Sequence, residues 1–338
     1  MKNRGMIVPY SLAHFLVDFA CANFMFRYGY SSGLWYILVI LYNFCAFAMQ
    51  MPFGLIVDKW NKNALCAASG CIFVAGAYLV SPAVLPAVVV LGIGNALFHV
   101  GGGTDVLNSS TKKASMLGIF VSPGAFGIYY GTMLGKQGTV PSAAFLVSLA
   151  VMAILIAFLD YLPNRTFLSN NVPVSFQMEG KSGAVGAVAC FFLVVLLRSY
   201  MGMKKFEWGS QWGNWLICAV VSGKAAGGII GDIFGLKRTA FVSLSIAAIL
   251  FVFCDEPVLG IAAIFLFNMT MPITLWAVAK VLKGCRGFSF GLLTVALFLG
   301  MLPSYFADGI TYHSLIESTA IAFVSLCVLM YGLKKVKE

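Results

Sequence analysis

Gly54-Leu55-Ile56-Val57-Asp58-Lys59 and Gly228-Ile229-Ile230-Gly231-Asp232 spell nearly the same phrase 174 positions apart (58 to 232), and Gly235, Lys237 and Arg238 follow the second copy. Each copy closes an apolar run and opens a short basic loop. A polar signature returning after about half of a 338-residue chain predicts a duplicated helical bundle, with Asp58 and Asp232 at equivalent edges of the two halves.

The chain is 60% hydrophobic and only 10% charged, with a mean hydropathy of +0.92. A soluble domain keeps about 25% of its residues charged, so most of this surface needs a solvent other than water. Apolar stretches of about 20 residues, long enough to cross a hydrocarbon core of about 30 Å, recur along the whole length. Twelve are expected, near 6–27, 33–57, 64–81, 83–105, 114–135, 140–160, 183–203, 212–231, 238–254, 257–280, 287–306 and 312–333. The fold class is therefore an all-α polytopic membrane protein. The expected organisation is an N-terminal six-helix bundle over 1–160, a linker over 161–182 and a C-terminal six-helix bundle over 183–338. His14 and Asp18 interrupt the first apolar run where a cleaved signal would be most apolar, so that run is expected to stay as the first helix.

The net charge of +10 is explained by orientation rather than by nucleic acid. Sixteen of the 22 basic residues, among them Lys59, Lys62, Lys112, Lys113, Lys237 and Arg238, fall on one side of the twelve-span arrangement. By the positive-inside rule that side is cytoplasmic, with both termini on it, in a cytoplasmic (inner) membrane. The nine cysteines are scattered, with no CxxC and no His/Cys cluster at metal-ligand spacing, so neither metal nor cofactor is expected. There is no G-x-S-x-G elbow and no HExxH, which argues against an enzyme.

Aligning Asp58 with Asp232 sets the second span on the eighth and the first six on the last six. Glycines at 54 and 228 let helices approach closely. Each Asp stands at a membrane edge, where it meets a neighbouring helix N-terminus or a basic partner. At these residues the chain resembles the major facilitator superfamily, whose loop after the second helix reads G-x-x-x-D-[KR]-x-G-[RK]-[RK]. The first copy has Gly54, Asp58 and Lys59, but Asn61 where the second glycine would be; the second keeps Gly228, Asp232, Gly235 and Lys237, with Arg238 one place later. The resemblance covers essentially the whole chain. It implies a twelve-helix transporter working by alternating access, and gating roles for Gly54, Asp58, Lys59, Gly228, Asp232 and Arg238; loop anchoring is the other reading of these residues. Gly118, Pro123 and Gly127 follow the spacing of the family's antiporter pattern, with Ser122 and Phe126 in place of two glycines, which implies export.

Ionisable groups inside a span mark wet cavities and ion pathways. His14 and Asp18 share one face of the first helix at i, i+4, Asp18 about 18 Å into it. Asn95 and His99 share a face of the fourth, and Arg198, Lys224 and Asn268 lie in later spans. Asp18, His14 and His99 are read as proton-coupling residues, since a buried carboxylate and an imidazole both exchange protons near neutral pH. Arg198, Lys224, Asn95 and Asn268 are read as substrate-binding, two cations favouring an anionic or zwitterionic compound. Structural pairing of Asp18 with Arg198 or Lys224, and snorkelling of Arg198 to the surface, are the alternatives. His14-Phe15, Asp18, Gly94 and Phe98-His99 also look like the fosmidomycin-resistance-type branch of the superfamily, although Val100-Gly101-Gly102-Gly103 departs from it. The glycine run either unwinds the fourth helix or ends it. His313 and Glu317 are expected to pair at i, i+4 beside Asp308. The expected function is proton-coupled export of a small anionic or amphiphilic compound by a monomer in the lipid bilayer. Import or uniport of a small organic anion, or a non-transporting receptor, are the alternatives.

Overall fold

The computed structural model describes residues 6–110, 112–159, 184–307 and 311–336. The linker expected at 161–182 and Asp308 lie outside them. The described chain is helical almost throughout: α1 (Ile7–Phe24), α2 (Trp35–Asn43), α3 (Gln50–Trp60), α4 (Asn63–Leu79), α5 (Val84–Ser109), α6 (Ser115–Val121), α7 (Pro123–Gln137), α8 (Ser142–Leu159), α9 (Ala184–Gly202), α10 (Gly213–Phe234), α11 (Leu236–Phe251), α12 (Pro257–Asn268), α13 (Thr270–Val281), α14 (Arg286–Phe306) and α15 (Leu315–Lys334). Wide π-helical turns at Met25–Gly29 and Phe44–Ala48 extend α1 and join α2 to α3. Ten helical stretches among the described residues are long and apolar enough to cross a membrane. The other two expected spans coincide with α4 and α11, which are shorter.

The breaks follow from local chemistry. Pro123 has no N–H to continue α6, and Ser122 Oγ caps the interruption by donating to Gly118 O at 2.5 Å. α8 shows what the outer surface faces. Its buried residues Phe145, Leu149, Met152, Ala153 and Ile156 form one stripe, while Val147, Val151, Ile154 and Phe158 stay exposed. A helix that is apolar all round and covered on one side only is solvated by lipid.

The chain divides into two compact units, and neither is a single block of sequence. Unit 1 holds 1–109, 123–175 and 284–295; unit 2 holds 110–122, 176–283 and 296–338. In unit 1, α5 packs along α4 and α1 packs along α7, with α8 laid across α1 and α4. In unit 2, α10 packs against α6, α12 and α13, and α15 packs against α9 and α11. Each unit has thus taken in one short segment from the other half of the sequence. Asp58 and Asp232, described below, each bind the start of a helix in one of these segments.

The glycine run does neither of the things expected of it. Gly101, Gly102 and Gly103 lie inside α5, which continues unbroken to Ser109. Their smallness is used for packing. A Cβ on Gly101 would stand 2.6 Å from the Ala67 nitrogen of α4, and one on Gly103 would strike the Phe290 ring.

Candidate functional site

In unit 1, α1, α5 and α7 bring three ionisable side chains to one point. His14 and Asp18 are one turn apart on α1, and His14 Nε2 stands 3.3 Å from Asp18 Oδ2. His99, on α5, places its Nε2 2.9 Å from His14 Nε2 and 3.5 Å from Asp18 Oδ1. All three are buried, Asp18 to 7% exposure. Asn95, one turn before His99, donates from Nδ2 to Asp18 Oδ1 at 3.1 Å. Two i, i+4 pairs on facing helices therefore build the cluster, as the 3.6-residue period allows.

The hydrogen bonds limit where the protons sit. His99 Nδ1 lies 2.9 Å from the Asn95 carbonyl, which can only accept, so Nδ1 carries a hydrogen. A neutral His99 then presents a lone pair on Nε2, and the contact between the two Nε2 atoms needs a proton on one of them. The carboxylate stands ready on both sides of that proton. Asn95 Oδ1 is buried with no hydrogen-bond partner, one more acceptor beside the cluster. Two imidazoles and a carboxylate in mutual contact form a group that can take up and release a proton. The donor atoms of His14, Asp18 and His99 all lie within 4.8 Å of one another, a set of two imidazoles and a carboxylate that suits a transition-metal ion as well.

Gly124, the second residue of α7, makes this convergence possible. A Cβ there would overlap both His14 Nε2 and Asp18 Oδ2. The small-residue face of α7 continues through Gly127, Gly131 and Gly135, each against the α1 backbone, and this is where Gly127 of the antiporter-like pattern belongs.

Unit 2 holds Arg198 on α9, 7% exposed, with Nη1 donating to Thr270 Oγ1 at 3.4 Å. It does not snorkel to the surface. Asn268 lies near Thr270 in sequence, but its Nδ2 is taken by the Ile264 carbonyl of its own helix at 2.9 Å. Lys224, on α10, is half-buried, and its carbonyl packs against Gly118 of α6.

The repeated aspartates do the same thing twice. In unit 1, Asp58 accepts from the backbone N–H groups of Gly287 and Phe288 at 2.8 and 2.9 Å, at the start of α14. In unit 2, Asp232 accepts from Ala114 and Ser115 at 2.6 and 3.1 Å, at the start of α6. A carboxylate at a helix N-terminus satisfies orphan donors and meets the positive end of the dipole. The aspartates are 174 positions apart (58 to 232) and the amides they bind are 173 apart (114 to 287), so the duplication extends to their partners. Gly54 and Gly287 face each other so closely that a Cβ on either would strike the other's backbone; Gly228 meets Ala114 and Ser115 in the same way. Asn61 and Gly235, each three residues past its aspartate, both have positive φ, 52° and 94°. Asn is the residue other than glycine that enters the left-handed region most readily, so Asn61 does the work of the glycine it replaces. Lys59 and Arg238 are exposed.

Several contacts that matter here are not visible in the sequence. Arg286 Nη1 donates to Asn108 Oδ1 at 2.7 Å, and Tyr10 and Asn63 donate to the two oxygens of the fully buried Asp105, at 2.5 and 2.8 Å. The expected helical pair of His313 and Glu317 is not formed, because His313 precedes α15. His313 instead stacks on Phe206 and contacts Ser318 Oγ at 3.1 Å, while Glu317 accepts from Tyr200 and pairs with Lys204.

No family model and no curated protein sequence matches the chain. Solved structures do. A point variant of the E. coli fucose:proton symporter FucP superposes with a TM-score of 0.69 at 12% identity, over 99% of this chain and 100% of that one. FucP described as a major facilitator superfamily transporter in the outward conformation gives 0.65 at 13% identity, over 99% and 100%. The human organic anion transporter MFSD10 (TETRAN) gives 0.61 at 15% identity, over 96% of each. The chain shares the fold of these major facilitator superfamily transporters.

Proposed function

We propose that this protein is a secondary active membrane transporter that works by alternating access and couples export of a small anionic or amphiphilic compound to proton movement. The observation that carries the reading is the buried meeting of His14, Asp18 and His99, a cluster able to gain and lose a proton at membrane depth. The fold shared with transporters, one described as a fucose:proton symporter and one as an organic anion transporter, supports the same class. In this reading the twelve helical segments form two six-helix halves, 1–160 and 183–338, in an inner membrane with both termini cytoplasmic. Asp58 and Asp232 hold a gate through the helix ends they cap, with Gly54 and Gly228 allowing the approach and Lys59 and Arg238 anchoring the loops. Arg198 with Thr270 contributes to substrate binding, Asn95 orients Asp18, and Lys224 and Asn268 complete the polar lining.

One observation favours import as a second reading. The cluster without its extra proton carries one negative charge, and buried Arg198 carries one positive charge. Loading a proton and a monoanion together leaves the buried charge unchanged, whereas exchanging one for the other swings it by two charges, which membrane interiors disfavour. The test is a screen of small anions added outside proteoliposomes that enclose a pH-sensitive dye. Interior alkalinisation on substrate entry supports proton-coupled export physiology, and acidification supports uptake by symport. Transport without any proton movement contradicts both.

A further inference from the structure

Among the described residues of unit 2, Arg198 is the only charged side chain in the buried class. Its guanidinium has five N–H donors and one described acceptor, Thr270 Oγ1, at the long limit of a hydrogen bond. The Thr270 hydroxyl hydrogen is already directed to Phe267 O at 2.9 Å. The helices packed along α9 bring no counter-ion. On α13, Lys280 lies over the Trp276 ring; on α15, the Glu317 carboxylate is held by Tyr200 and Lys204. Ser199, the next residue of α9, donates to Leu297 O. No carboxylate among the described residues comes within 4.0 Å of Arg198.

A buried cation without a partner is costly, and replacing such a group by a packed apolar chain often stabilises a protein. An arginine kept in that position is therefore explained best by a ligand. The planar guanidinium fork matches the two oxygens of a carboxylate through parallel N–H···O bonds, which a lysine does not reproduce. We infer that Arg198 anchors a single carboxylate group of the transported compound, with Thr270 beside it, so that the substrates are small organic monoanions. This rests on the transporter reading above and adds to it the substrate class and the subsite.

The test uses the full chain purified in detergent and follows its thermal unfolding midpoint with benzoate, its neutral counterpart benzamide, or inorganic phosphate, each at about 10 mM. Benzoate is expected to raise the wild-type midpoint and benzamide to leave it unchanged. Arg198→Met without any anion is expected to melt at or above the wild type and to lose the benzoate shift. Arg198→Lys is expected to need at least about tenfold more benzoate for the same shift. A wild type that benzoate does not shift, a response to phosphate alone, or a full benzoate shift in Arg198→Met overturns the inference. So does an Arg198→Met protein that melts well below the wild type, because the arginine is then structural. If the benzoate pattern holds while substrate never moves protons, the anion site stands and the proton-coupled reading falls; the opposite pair of results removes the anion site alone.

Discussion

Replacing Asp58 by Ala isolates the helix-capping role of the repeated aspartates. Asp58 is only 4% exposed and accepts two backbone bonds at 2.8 and 2.9 Å from the first turn of α14. A hydrogen bond to a charged group contributes about 1.5–3 kcal/mol, and a carboxylate at a helix N-terminus adds about 0.3–1 kcal/mol. Taking the low end of each bond, the first turn of α14 loses about 3–4 kcal/mol. At about 1.4 kcal/mol per factor of ten, its local opening becomes two to three decades more frequent. Amide hydrogen exchange reads that opening directly: Gly287 and Phe288 should exchange about a hundredfold faster or more in Asp58→Ala. Asp58→Asn, which keeps one acceptor oxygen, should show a smaller acceleration. Ala114 and Ser115, capped by Asp232, should be unaffected. Asp232 is half-buried and one of its bonds is 3.1 Å, so Asp232→Ala should release Ala114 and Ser115 by about one decade. Unchanged exchange at Gly287 and Phe288 in Asp58→Ala would refute the capping argument.

Two further outcomes follow from particular contacts. Gly124→Ala puts a Cβ into His14 and Asp18, and such overpacking costs about 1–3 kcal/mol. The melting midpoint should fall by several degrees and substrate-driven proton movement should weaken, while Gly186→Ala, in a helix with open space around it, should not lower the midpoint and should leave proton movement unchanged. His313, stacked on Phe206, has its imidazole pushed by burial, and then by nearby Lys204, down to about 4 from the usual 6.5. Its folded value lies below its unfolded one, so the stability linked to His313 is complete above pH 6.5 and is lost as pH falls toward 4. The midpoint should drop over that window in the wild type and drop less in His313→Gln.

Much of this architecture was legible in the sequence because membrane helices announce themselves by length and apolarity, and because one polar signature is repeated. The sequence also places His14 with Asp18, and Asn95 with His99, since i, i+4 spacing puts residues on one face. Periodicity does not say which face meets which helix. The approach of His99 to His14, 85 residues away, is therefore visible only in the structure. The same limit hides Gly124, which acts only by what it leaves out. Asn61 looks like a lost motif residue until its left-handed backbone is seen. Arg198 could be placed near a helix end, but whether it reaches the surface depends on packing by α13 and α15. The helix ends that Asp58 and Asp232 bind also escape the sequence, because spacing does not name a partner far along the chain.

Proton coupling through His14, Asp18 and His99 is tested most directly by reconstituting Asp18→Asn beside the wild type and measuring substrate-driven proton movement with an enclosed pH-sensitive dye. The expected result is a folded Asp18→Asn protein that melts as a single transition and gives no proton signal with a substrate that drives one in the wild type. An undiminished proton signal from Asp18→Asn would contradict it.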